Sequence, residues 1–218
     1  MPGNNFLTPL QNKLPQDLNG MAVYPAQQAD RIYNVEHASE INATCNIYAL
    51  PIAKFSTKAM DRSHYNLFVI DERDKMFTSP FFMSVDVILQ KGTPKDVKDN
   101  FFSMNADALE RITLFPSIFT TANNGQGTTD SEHRAIYGRV ENIEPQEHGY
   151  LIHWGCMRFW SNPNGVPFIS QMELINHAES FGLGVAPCSN ELDEVHWAIK
   201  KLNVIEALSK IGIEAMVF

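Results

Sequence analysis

Apolar and polar positions change over in short runs along most of this chain. Only near the C-terminus do they settle into a longer rhythm. Between Asn190 and Ile211, the residues Leu192, Val195, Ile199 and Leu202 recur at spacings of three and four. Trp197, Val204, Leu208 and Ile211 form a second stripe, almost opposite the first at about 100° per residue. Asn190 suits an N-cap, Asp193 stands where a capping box places its acidic partner, and Gly212 follows the last turn. The pattern predicts one closing helix roughly 30 Å long at 1.5 Å per residue. Two apolar stripes ask for burial from both sides, by two layers of the fold or by a core and a partner. His196, Lys200 and Asn203 remain as a polar strip, either the solvent side of the helix or a ligand-facing edge.

Upstream, β-type runs dominate. Ala43–Phe55, Tyr65–Ile70, a short segment around Met76 and Phe77, and Phe81–Leu89 read as strands, with Asp71–Lys75 as a charged turn. Asp96–Phe102 reads as a short helix. Asn105 caps a second helix, Ala106–Phe115, whose apolar pattern continues through Ile118 and Phe119. Ala135–Ile143 and Tyr150–Trp154 flank a turn and predict a hairpin, with Gly138 marking a bulge or a close backbone approach. Asn162–Gly165 is a turn, and Ser170–Phe181 a helix with Met172, Ile175 and Ala178 inward. The expected organisation is an arm over 1–20, a β-rich part over 21–104, and an α+β unit over 105–218 that shares its core. The fold class is α+β.

Composition narrows the function classes. The chain has 218 residues, 44% hydrophobic, and a net charge of −8, which supplies a real core and argues against general nucleic-acid binding. Cys45, Cys156 and Cys188 are widely spaced and read as reduced thiols of a cytoplasmic protein. No apolar run suffices to span a membrane, and no secretion signal is expected.

Candidate chemistry is sparse. The Gly125–Thr129 loop carries a GxG through Gly125 and Gly127 that could curl around a phosphate, although it is neither a P-loop nor a GxGxxG motif. Together with Arg139, His196 and Lys200 it makes a candidate site for a small anion or nucleotide. Tyr137, Tyr150, Trp154, Phe159, Trp160 and Phe168 could line a pocket or pack as core. The seven histidines make no HxxxH pair, and no motif demands a metal or cofactor. Around Asp86 the spaced carboxylates of a metal-dependent nuclease are missing, and a Cys156–His153 couple would need a third, orienting group. The leading reading is a binding or interaction protein, self-associating or taking a protein partner. A small-anion enzyme or sensor is the alternative.

Phe115-Pro116-Ser117-Ile118-Phe119, then Gly138-Arg139-Val140 with Ile143, then Glu191-Leu192 with His196-Trp197-Ala198-Ile199-Lys200 resemble spaced blocks of an uncharacterised bacterial protein family. There the blocks run FPxLF, GxIxxI and ELxxTHWAIK. The resemblance covers the C-terminal half and departs at Asp193-Glu194-Val195. It implies no activity.

Overall fold

A computed structural model of the chain describes residues 58–71, 79–129, 133–157 and 168–215. The arm, the Ala43–Phe55 run, the segment around Met76 and Phe77, Phe159, Trp160 and the Asn162–Gly165 turn lie outside the described residues. All described residues fall within the unit Glu40–Phe218.

The fold is α+β, organised by one mixed sheet. Its strands are β1 (Tyr65–Ile70), β2 (Phe81–Ser84), β3 (Pro116–Thr121), β4 (Arg134–Gln146), β5 (Gly149–Cys156), β6 (Phe168–Ser170) and β9 (His196–Lys200). The order is β2-β5-β4-β3-β1-β9, with β6 pairing β4 beside the start of the β4–β5 hairpin. Only β1 and β3 run parallel. Strands from both sides of residue 104 therefore share one sheet. A separate small hairpin joins β7 (Val185–Ala186) to β8 (Ser189–Asn190).

Helices cover both faces, and this is why β1 (YNLFVI) and β3 (PSIFTT) are buried along their whole length. On one face, α1 (Lys95–Phe101) and α2 (Ala106–Thr113) bring Val97, Phe101 and Ile112 onto Phe68, Phe119, Trp154 and Trp197. On the other, α3 (Gln171–Asn176), α4 (Ala178–Phe181) and α5 (Val204–Lys210) bring Leu174, Phe181, Val204 and Leu208 onto Leu67, Val69, Ile118, Tyr137 and Ala198. An aromatic stack crosses the first core: Trp197 on Phe68 at 4.9 Å, Phe68 on Phe119 at 5.0 Å, Phe119 on Trp154 at 4.4 Å. Such pairs contribute about 0.5–1.5 kcal/mol each beyond burial. Phe119 and Trp154 meet across β4 because Gly138 leaves room. A Cβ there would stand 3.1 Å from the Phe119 ring and 2.4 Å from the Gly155 carbonyl oxygen. The strand glycine thus marks a close approach, and the register shift of β4 falls just after it, between Val140 and Asn142.

The expected closing helix is corrected. Asn190–Ile211 folds as the last residue of β8, a 3-10 turn (Glu191–Asp193), strand β9 and the short helix α5. The capping box forms, but on the 3-10 turn. The two apolar stripes do not survive as faces: Ile199 of the first and Trp197 of the second enter the same core, and Ala198 enters the other. The burial from both sides is thus supplied within one chain. Over five residues a period of 2 and a period of 3.6 overlap, so the stripes could not separate them. The helix that remains is capped by Asn203, whose side chain accepts from the Ile205 amide at 3.1 Å, and Gly212 follows it with φ +79°.

Three smaller expectations also change. Ile118 and Phe119 belong to β3, because the helix ends at Thr113 and Pro116 has no N–H to continue it. Phe81–Leu89 is a strand only to Ser84, and then a 3-10 turn over Val85–Val87. Ser170–Phe181 begins as the end of β6 and breaks at His177. Gln171, Leu174 and Phe181 are the buried positions there, while Met172 is exposed.

Candidate functional site

The site grows from β9. In HWAIK, His196, Ala198 and Lys200 point to one face of the sheet and Trp197 and Ile199 to the other. His196 and Lys200 were expected one helical turn apart. In a strand their Cα atoms are roughly 13 Å apart. They meet through a third residue, Glu191 of the 3-10 turn. Its carboxylate accepts from Lys200 Nζ at 2.6 Å on Oε1 and 2.7 Å on Oε2, from the Gly184 amide at 2.8 Å, and faces His196 Nε2 at 3.2 Å. Lys200 also donates to the Gly182 carbonyl at 2.9 Å. Glu191, His196 and Lys200 are 4%, 2% and 4% exposed.

Burial alone would raise the Glu191 carboxyl, but His196, Lys200 and the Gly184 amide together hold it down at about 2. Burial lowers Lys200 below the ordinary lysine range, against the pull of Glu191. The two partners thus shift for opposite reasons: the carboxylate is over-supplied with donors, and the ammonium is short of solvent.

A strap seals the cluster. Residues 88–93 run along the outer edge of β9: Ile88 bridges to Trp197, the Leu89 amide donates to the Trp197 carbonyl at 2.8 Å, and the Ile199 amide donates to Thr93 Oγ1 at 3.1 Å. Lys91 pairs with Glu194 at 3.0 Å. Gly92, with φ +69°, lies so close that a Cβ would stand 1.8 Å from Glu191 Oε1. Only glycine fits both that conformation and that gap. Leu89, with φ +54°, is also left-handed.

The glycine loop is held by a second carboxylate. Gly127 donates its amide to Asp193 Oδ1 at 2.9 Å, and Asn123 Nδ2 donates to the same oxygen at 2.7 Å. Asp193 Oδ2 accepts from the Asn190 amide at 2.7 Å, so the Asp193 carboxyl lies below its ordinary value, these donors outweighing burial. Gly127, φ +68°, packs on the β7–β8 hairpin, where a Cβ would meet the Cys188 carbonyl oxygen at 2.7 Å. Gly125 closes the turn, its carbonyl accepting from the Thr128 amide at 3.1 Å.

The remaining candidates lie elsewhere. Arg139 pairs with Pro116 at the start of β3, whereas the loop follows the end of β3, and five residues of strand are roughly 17 Å. Its guanidinium reaches the Thr113 carbonyl at 3.4 Å. Burial lowers it, with Glu141 opposing. Asn203 donates to Glu206 and caps α5. Trp154 is buried in the aromatic stack. Cys156 is buried, on the opposite face of β5 from His153, which pairs with Glu144 at 2.9 Å. Glu191, Asp193 and Gly92 carry the site's geometry, and sequence reasoning had assigned the two acids only to a helix start. The one signal for a second role was their spacing ahead of His196, legible only once the segment is a strand.

Among the described residues, no group of three or more His, Cys, Asp or Glu side chains is placed to hold a metal ion, and no helix is long and apolar enough to cross a membrane. Comparison with known protein families, curated proteins and solved structures finds no match.

Proposed function

We propose that this chain is a cytoplasmic interaction module that self-associates, rather than an enzyme acting on a small anion. One observation carries the reading: Lys200, His196 and the Gly127 amide, which would receive an anion, already face carboxylates of the same chain, and Arg139 lies elsewhere. Glu191 takes Lys200 and faces His196, and Asp193 takes the Gly127 amide. An incoming phosphate would have to displace a buried ion pair, and breaking such a pair costs about 3–5 kcal/mol.

The contact surface in this reading is the β2 end of the sheet. Among the described residues β2 pairs only with β5, and Phe82 and Val85 beside it are 49% and 54% exposed. An antiparallel pairing of β2 with its own copy satisfies a two-fold axis and covers both side chains. A reducing compartment accords with Cys188 as an exposed free thiol. Kinship with the bacterial family of the three sequence blocks belongs to the same proposal. Those blocks fall on β3, β4, and the turn and strand that hold Glu191, His196 and Lys200.

Light scattering after size exclusion tests the reading. A dimer that Phe82→Glu converts to a folded monomer is expected. A wild-type chain that stays monomeric at high micromolar concentration removes self-association. Thermal stabilisation by any nucleotide or phosphate ester would favour the anion reading, since a ligand at 100 times its Kd adds about 2.7 kcal/mol.

A further inference from the structure

We propose that the pocket formed by Glu191, the Glu194 carbonyl and Lys200 is a proton-binding site: it holds the His196 ring with protons on both nitrogens, and that proton latches the 88–93 strap to the sheet. The inference stands apart from the binding reading and does not depend on it.

The argument is one of donors and acceptors. His196 Nδ1 lies 2.8 Å from the Glu194 carbonyl oxygen, and a carbonyl can only accept. His196 Nε2 lies 3.2 Å from Glu191 Oε1, and an ionised carboxylate can only accept. A neutral imidazole has one N–H and one lone pair, so either tautomer would press a lone pair against an oxygen in a buried site. Two protons on the ring satisfy both contacts, and the contact to Glu191 becomes charge-assisted. The carboxylate is ionised, because the Lys200 ammonium donates to both of its oxygens at 2.6 and 2.7 Å and the Gly184 amide adds a third donor at 2.8 Å.

The charges around the ring are few. Glu191 faces it from the 3-10 turn and Lys200 from the same face of β9. From β1, Tyr65 lies within the field of Glu191 but gives its hydroxyl to the Phe181 carbonyl at 2.7 Å. From the strap, Lys91 is paired with Glu194. The other buried histidine, His133, contacts Gln171 at 3.1 Å beyond β1 and β3. The mobile proton therefore belongs to the Glu191–His196–Lys200 group.

The link to the strap is spatial. Gly92 rests on Glu191 Oε1 and Lys200 Nζ, and the Leu89 amide donates to Trp197, the residue after His196. When the ring loses a proton, the Nε2 lone pair faces Oε1, the carboxylate shifts, and the backbone resting on it loses its seat. The latch is closed at low pH and loosens as pH rises.

Nitrogen NMR of the wild-type ring, assigned through its own backbone, tests the first half. At neutral pH both ring nitrogens are expected to carry protons. A singly protonated His196 ring at neutral pH overturns the proposal. Glu191→Gln supplies the control: a carboxamide N–H can donate to Nε2, so the ring is expected to become neutral with its proton on Nδ1. Hydrogen exchange at the Leu89 amide, corrected for intrinsic rates, tests the second half. One proton released on opening makes the opening constant rise with pH, by up to about tenfold per unit, until the closed ring is itself deprotonated. A pH-independent opening constant overturns the latch.

Discussion

Replacing Glu191 by glutamine isolates the electrostatics of the buried cluster without changing its shape. A carboxyl held at about 2 in the fold, against an ordinary 4.5, contributes about 3 kcal/mol at neutral pH, at roughly 1.4 kcal/mol per tenfold in proton affinity. The cost of removing one partner of a buried pair, about 3–5 kcal/mol, agrees. The sign follows from the depressed value: the folded state binds fewer protons, so the contribution is complete above about pH 4.5 and disappears as pH falls through about 2. Urea unfolding at a series of pH values is the assay. Wild type should exceed Glu191→Gln by about 3 kcal/mol at pH 7, and the gap should close steadily on acidification. Lys200 pulls the other way, since burial lowers it, so the pair together contributes less than the carboxylate alone. The double variant Glu191→Met/Lys200→Met should therefore be less damaged than either single one. A Glu191→Gln loss below about 1 kcal/mol, the value of an ordinary exposed pair, or a gap that ignores pH, would refute the reasoning.

Two further perturbations probe what surrounds the cluster. Gly138→Ala places a methyl 2.4 Å from the Gly155 carbonyl oxygen, so chemical unfolding should report a loss of about 1–3 kcal/mol, as for overpacked cores. Asp193→Ala removes the capping box and the anchor of the Gly127 amide. It should cost about 1–2 kcal/mol, the range for a lost cap, with faster amide exchange across 123–128 as the specific sign. An unchanged exchange pattern would mean that the loop holds itself.

The legible parts of the sequence were those governed by local chemistry. Tyr65–Ile70 is apolar but for Asn66 because both of its faces are covered, and that needs no knowledge of which helices cover it. The β4–β5 hairpin, the Asn105 cap and the glycine after α5 follow from backbone demands within a few residues. The closing segment misled because its decisive contacts are distant: β9 is a strand through its pairing with β1, where Trp197 stands opposite Phe68. Once the period was misjudged, the site was misjudged with it. His196 and Lys200 were grouped, but as an open polar strip, and the acid that joins them was read as a favourable charge at a helix start. Burying Lys200 is tolerable only beside Glu191, and that pairing is a property of the turn's geometry rather than of residue types.

The row of rings from Trp197 to Trp154 gives the molecule a built-in optical gauge. Two indoles stand at opposite ends of one continuous pile of aromatic planes, one on β9 and the other on β5. Unpairing of β9 or of β5 alters the surroundings of the indole that strand carries, so in a Trp160→Phe chain the two emissions follow the sheet from β9 to β5.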